Sequence, residues 1–93
     1  TFCPLGPFIQ TEFTNNPELN IKAFVNGELK QDGNSRDMIY SIGEILEFVT
    51  SIMTLLPGDV VMTGTPEGVS QVKPGDEIKI EIETLGTLIN SVE

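Results

Sequence analysis

Apolar residues recur at helical spacing in one stretch near the middle of the chain. The members of this stripe are Ile42, Ile45, Leu46, Val49 and Ile52. Offsets of three and four place them on one face of an α-helix. Ser41 and Glu44 match a capping box at its start, and Pro57 disfavours helical geometry at the residue before it. The pattern therefore predicts one main helix over about 42–54.

Short apolar runs before this helix predict a β-hairpin. Asn26-Gly27 separates the runs 20–25 and 28–31, and this dipeptide is typical of a type I′ turn, which needs positive φ at both central residues. We expect residues 32–35 to form a loop after the hairpin. The proline-rich opening, 3–9, is typical of an extended loop, and 15–18 is typical of a turn.

Two Pro-Gly-Asp turns after the helix each lead into a predicted strand. The first precedes 60–62, a short unbroken apolar run that suits a strand covered on both faces. The second precedes 77–83, whose strict alternation is typical of an edge-like strand with one wet face. After Leu85-Gly86, residues 87–92 are expected to pair with it. One helix and five or more strands make an α+β fold, mostly β.

Length and composition suit one small globular unit, since the chain has 93 residues and is 39% hydrophobic. No apolar run approaches the roughly 20 residues that span a membrane, and residues 1–4 show no secretory signal. A single cysteine, Cys3, rules out an internal disulfide and fits a reducing, cytoplasmic location. Because Thr1 is not a starting methionine, we expect the chain to be a piece of a longer protein.

The charge balance argues against nucleic acid as a partner. Five basic residues stand against fourteen acidic ones, giving a net charge of −9, and the basic residues are scattered along the chain. The chain has no histidine, so a histidine-based triad, a histidine metal ligand and a histidine base are all excluded within it.

The stretch 63–68, Thr-Gly-Thr-Pro-Glu-Gly, is the first candidate for chemistry. Glycines let a ligand approach the main chain, and threonine hydroxyls and backbone N–H groups bind carboxylate or enolate oxygens. The alternative is a polar strand exit whose threonines satisfy local backbone groups, and spacing alone favours it.

The remaining candidates are better explained structurally. Glu81 and Glu83 have metal-ligand spacing but also complete the solvent face of a strand. Asp59 and Asp76 each follow Pro-Gly, where aspartate commonly accepts hydrogen bonds from turn N–H groups. A nucleophilic Cys3 would need a base, and none is evident. Tyr40 and the apolar stripe of the helix are expected to be core.

An ordered set of motifs resembles the C-terminal part of the fumarylacetoacetate hydrolase family across essentially the whole chain. The motifs are Gly6-Pro7-Phe8-Ile9, Val25-Asn26-Gly27-Glu28, Met38-Ile39-Tyr40-Ser41-Ile42, the block from Met53 to Pro66, Pro74-Gly75-Asp76 and Leu85-Gly86-Thr87-Leu88-Ile89-Asn90. The resemblance implies that residues 1–93 are one segment of a catalytic domain built on a large mixed β-sheet roll. It also implies a homodimer.

The same resemblance implies chemistry on 2-keto or enol acids with Mg²⁺, Mn²⁺ or Ca²⁺ as cofactor, in aromatic catabolism. The family's metal ligands, a Glu-x-Glu pair and an Asp, and its lysine would precede Thr1, so no catalytic residue and no metal ligand is expected within this chain. Thr65 transfers as a substrate-binding residue, with Gly64 and Thr63 as weaker candidates. Residues 3–6 are expected to line the pocket, and the chain alone is not expected to turn over.

Three hypotheses about function remain open. The leading one is a segment of a metal-dependent hydrolase that cleaves C–C bonds of 2-keto or β-diketo acids. The second is an isomerase or decarboxylase of the same family, of the 5-carboxymethyl-2-hydroxymuconate, 2-hydroxyhepta-2,4-diene-1,7-dioate or oxaloacetate type. The third is a non-catalytic binding or assembly module on the same fold. The residues that would discriminate them are those expected before Thr1.

Overall fold

A computed structural model describes residues 3–12 and 17–93 of the chain. The elements in this part, in chain order, are β1 Asn20–Val25, β2 Glu28–Asn34, a 3₁₀ helix Ser35–Asp37, α1 Ile42–Ile52, β3 Glu77–Ile82 and β4 Gly86–Ser91. The α+β class, mostly β, is confirmed. The turn predicted at 15–18 begins outside the described residues. Within them, no helix is long and apolar enough to cross a bilayer.

The four strands form one antiparallel sheet in the order β2-β1-β3-β4. β1 and β2 form the predicted hairpin, and φ is 50° at Asn26 and 80° at Gly27, as a type I′ turn requires. β1 also pairs with β3 on its other side, where Ala23 lies opposite Ile80. Ala23 is the one buried apolar residue of the described ranges, so the core is at the centre of the sheet.

The loop predicted at 32–35 is wrong, because β2 continues to Asn34. Asp32 pairs with Lys22 and Gly33 with Ile21, beyond an irregularity that opposes Ala23 to Gln31 and Phe24 to Leu29. This irregularity leaves Lys30 as the extra residue of β2, as in a β-bulge. The composition of this stretch is typical of a turn. Pairing with β1 nevertheless satisfies its backbone N–H and C=O groups, and it therefore continues the strand.

The edge position predicted for 77–83 is also wrong, since β3 lies between β1 and β4. Its charged side chains are matched by neighbours: the Lys79 ammonium lies 2.8 Å from a Glu81 carboxylate oxygen and 4.3 Å from the centre of the Phe24 ring. The partner strand predicted at 87–92 is confirmed as β4.

Residues 60–62, predicted as a covered strand, have no regular structure, and the described part holds four strands instead of five or more. Val60 is 57% and Met62 85% exposed. An apolar run becomes a strand only where another strand satisfies its backbone groups, and no described segment pairs with this one.

The helix begins as predicted and ends at Ile52, two residues before the predicted end at 54. The Ser41 Oγ accepts from the Glu44 N–H at 3.2 Å, and Glu44 Oε2 accepts from the Ser41 N–H at 2.8 Å. Met53 adopts an extended backbone, which stops the helix. The expectation that the helix stripe and Tyr40 are core is wrong: no helix residue is buried, and Tyr40 is 64% exposed, because no described strand packs closely on this helix.

Candidate substrate-binding site

A cleft of about 590 Å³ lies beside the end of β2. One wall is the end of β2 with the 3₁₀ helix, a second is the segment leading into α1, and the third is the loop 63–67. The lining residues are Ile21, Asp32, Gly33, Asn34, Ser35, Asp37, Met38, Ile39, Tyr40, Ile45, Thr63, Gly64, Thr65, Pro66 and Glu67. The predicted Thr63, Gly64 and Thr65 therefore share one concave surface with residues from a distant strand.

Two glycines allow this loop to lie directly on β2. A Cβ added at Gly33 would be 3.0 Å from the Pro66 Cβ, and one added at Gly68 would overlap the Lys30 carbonyl oxygen. Gly68 also has φ of +99°, which disfavours a side chain in any surroundings. The C-terminal end of the loop is therefore held against β2 by two approaches that a larger residue would crowd.

The side chain of Gln31 on β2 connects the strand to the loop. Its Nε2 donates to Thr65 Oγ1 at 2.9 Å and to the Pro66 carbonyl oxygen at 2.7 Å. A threonine hydroxyl carries one hydrogen and two acceptor sites. Because Thr65 accepts from Gln31, its own hydrogen is available to donate to an oxygen in the cleft.

Carboxylates dominate the charge of the cleft. Asp32, Asp37 and Glu67 line it, and no lysine or arginine is among its lining residues. Arg36 lies 3.8 Å from Asp37, and both side chains are well exposed, so this pair contributes little. An anionic ligand would be repelled by this lining unless a cation is supplied from elsewhere.

The described residues do not form a metal site. No group of three or more acidic, cysteine or histidine side chains is arranged to hold an ion in the part of the chain that the structure describes. The three lining carboxylates therefore do not by themselves fit the divalent cation that the family resemblance implies.

The carboxylates for which the sequence favoured a structural role have hydrogen-bond or ion-pair partners. Glu83 accepts from the Asn20 side chain at 2.8 Å, and Glu81 pairs with Lys79. Asp59 accepts from the Leu56 N–H at 2.8 Å within its Pro-Gly turn. The turn role predicted for Asp59 is thereby confirmed.

Asp76 occupies the matching position in the second Pro-Gly turn. It accepts at 2.8 Å from the Asn26 side chain and at 2.8 Å from the Lys73 N–H. These hydrogen bonds, Asn26 first, hold the pKa of the Asp76 carboxyl below its usual range. Asp76 thus joins its own turn to the β1–β2 turn, and its predicted turn role is confirmed.

Residues 3–6, expected to line the pocket, do not line this cleft. The opening segment lies instead along β4: a Cβ added at Gly6 would be 3.5 Å from Leu88, and one added at Gly86 would be 3.5 Å from Pro7. Cys3 is exposed. The segment faces another part of the sheet, which local sequence did not indicate.

Sequence reasoning did not find Gln31, Asp32 or Asp37. Gln31 is 34 residues from Thr65 and lies in a polar stretch with no motif of its own. Only the docking of the loop on β2 brings these residues together. The assignment of Thr63, Gly64 and Thr65 to substrate binding stays a prediction, for which their shared position in the cleft supplies a geometry.

Comparison with known proteins gives a consistent result. The family model described as fumarylacetoacetate hydrolase C-terminal matches residues 1–93. The chain is 45% identical to a 4-hydroxyphenylacetate degradation bifunctional isomerase/decarboxylase of Salmonella dublin, over 96% of this chain and 21% of that protein. It is 42% identical to a mitochondrial oxaloacetate tautomerase of Rattus norvegicus, over 99% of this chain and 32% of that protein.

A solved structure of maleylpyruvate hydrolase from Sphingobium sp. SYK-6, in complex with manganese(II) and pyruvate, matches with a TM-score of 0.91. The sequences are 42% identical, and the match covers 98% of this chain and 35% of that one. The chain belongs to the fumarylacetoacetate hydrolase family. It spans 39% of the length of a Methanocaldococcus jannaschii relative and smaller shares of the two relatives above.

Proposed function

We propose that this chain is the C-terminal part of a divalent-metal-dependent enzyme acting on 2-keto or β-diketo acids, with C–C hydrolysis as its leading reaction. The observation that carries the proposal is the placement of Thr65, which lines the cleft and whose hydroxyl keeps a hydrogen to donate. A hydroxyl of this kind suits a ligand whose oxygens only accept, such as a carboxylate or an enolate.

Isomerisation or decarboxylation is the second candidate, favoured by the identity to an isomerase/decarboxylase and to an oxaloacetate tautomerase. Oxaloacetate and maleylpyruvate, after which the rat tautomerase and the Sphingobium hydrolase are named, are both 2-keto acids. Such acids enolise, so one site that stabilises negative charge on the keto oxygen suits all three reactions. Our proposal for Thr65 is the same for each.

The proposed cofactor is Mg²⁺, Mn²⁺ or Ca²⁺, held by ligands outside this chain. The acidic lining supports a requirement for a cation in substrate binding, because Asp32, Asp37 and Glu67 would otherwise repel a keto acid. Homodimer formation is part of the same proposal, and sedimentation of the purified protein tests it.

The test of the proposed function is an assay of the protein that carries this chain, with oxaloacetate and maleylpyruvate, in Mn²⁺, in Mg²⁺ and in EDTA. Thr65→Val keeps the shape of the side chain and removes its hydroxyl. We expect the variant to lose about 1–3 kcal/mol of transition-state binding, measured as a fall in kcat/KM. This is the scale of a hydrogen bond to a charged group.

Thr54→Val is the matched control, since Thr54 is exposed and lies away from the cleft. It should leave kcat/KM within about twofold, as distant surface substitutions do. An unchanged kcat/KM in Thr65→Val would remove Thr65 from the site, and a wild-type protein inactive with both acids would contradict the proposed substrate class.

A further inference from the structure

We propose that Gln31 is the positioning residue that sets the direction of the Thr65 hydroxyl hydrogen. This inference rests on the proposed function, in which Thr65 binds a substrate oxygen. It adds a residue from β2 to the site and a reason why the site prefers substrate oxygens that accept hydrogen bonds.

The Pro66 carbonyl oxygen lies 2.7 Å from Gln31 Nε2. A carbonyl oxygen only accepts, so the amide must turn its nitrogen toward it; the opposite orientation would bring two carbonyl oxygens together. Pro66 is itself held against Gly33, where even one additional carbon atom would be crowded. The orientation of the Gln31 amide is therefore set by backbone.

The other hydrogen of the same nitrogen is directed at Thr65. Gln31 Nε2 lies 2.9 Å from Thr65 Oγ1 and presents only hydrogen to it. Thr65 must accept this bond, so its own hydrogen points away from Gln31. Since Thr65 lines the cleft, that hydrogen is free to meet a carboxylate or enolate oxygen there.

Two substitutions at Gln31 separate positioning from packing. Gln31→Leu removes both donors, and the hydroxyl then rotates freely. Gln31→Glu keeps the shape but offers a carboxylate oxygen that attracts the Thr65 hydrogen away from the substrate. We expect kcat on oxaloacetate or maleylpyruvate to fall about tenfold for the first and at least as far for the second. KM should change less than kcat, because charge on the keto oxygen is greatest in the transition state.

A double-mutant cycle tests whether Gln31 acts through Thr65. In the Thr65→Val background, Gln31→Leu should change kcat less than about twofold, because the hydroxyl it positions is already absent. Gln71→Leu, at an exposed glutamine outside the cleft lining, is the matched control and should leave kcat unchanged. Melting temperatures of all variants show whether each is folded.

The outcomes are distinct. Losses that multiply in the double variant, or full activity in Gln31→Glu, would overturn the positioning role while leaving the proposed function in place. A wild-type protein that turns over neither acid would overturn the proposed function, and the role of Gln31 with it. A loss confined to KM with a lowered melting temperature would assign Gln31 to loop packing alone and also overturn the inference.

Discussion

The close approach of Gly68 to β2 yields a prediction whose size follows from the structure. In Gly68→Ala the new Cβ would overlap the Lys30 carbonyl oxygen and lie 3.3 Å from the Gln31 Cγ. Lys30 is the bulge residue of β2, but its neighbours Leu29 and Gln31 are both paired with β1, so the Lys30 carbonyl can move only slightly. The loop must lift from β2.

Two costs add in this variant. A side chain at φ of +99° costs about 1–2 kcal/mol, because the left-handed region is unfavourable for L residues. Overpacking against a fixed neighbour costs about 1–3 kcal/mol more. We therefore expect the free energy of unfolding to fall by about 2–5 kcal/mol, or the loop to detach locally at a similar cost.

Gly58→Ala is the matched control, because Gly58 has φ of +97° and nothing lies within 4 Å of its added Cβ. It should show only the backbone cost of about 1–2 kcal/mol. The assay is urea unfolding of both variants followed by circular dichroism, with kcat/KM measured alongside. Equal losses in the two variants, within about 0.5 kcal/mol, would refute the close approach of the loop to β2.

Two further predictions concern the elements around the site. Ser41→Ala removes the side-chain acceptor of the capping box and should destabilise the protein by about 1 kcal/mol, measured by thermal unfolding; an unchanged melting temperature would show that α1 does not depend on this cap. Asp76 has a lowered pKa in the folded state, so its contribution to stability is present above about pH 4, the unfolded pKa, and is lost as pH falls through the folded value. Asp76→Asn should therefore reduce the loss of stability that follows as pH falls below about 4 in urea titrations, whereas an acid limb parallel to that of the wild type would contradict the role of its hydrogen bonds with Asn26 and Lys73.

The family itself was accessible from the sequence, because its motifs are ordered along nearly all of the chain. The fold class followed as well, from one amphipathic stripe and several short apolar runs. The candidate site was only partly accessible. Thr63, Gly64 and Thr65 carry a recognisable pattern, but the residue that contacts Thr65 from β2 carries none.

Short-range chemistry decided the features that the sequence predicted correctly. Asn and Gly adopt positive φ at lower cost than most residues, so Asn26-Gly27 forms the turn locally. Ser41 and Glu44 satisfy each other's backbone N–H groups within one turn of helix. The Asp59 and Asp76 carboxylates accept from N–H groups three residues away. Such interactions need no partner from elsewhere in the chain.

Only the tertiary structure decided where the strands lie and what the cleft contains. β2 extends to Asn34 because β1 pairs with it that far, and β3 lies inside the sheet because β1 and β4 pair with its two edges. Residues 60–62 form no strand because no described segment pairs with them. Gln31 reaches Thr65 across 34 residues of chain. A strand's position and a site's composition depend on which distant backbone groups meet, and that is set by the packing of the whole chain, which local residue patterns do not specify.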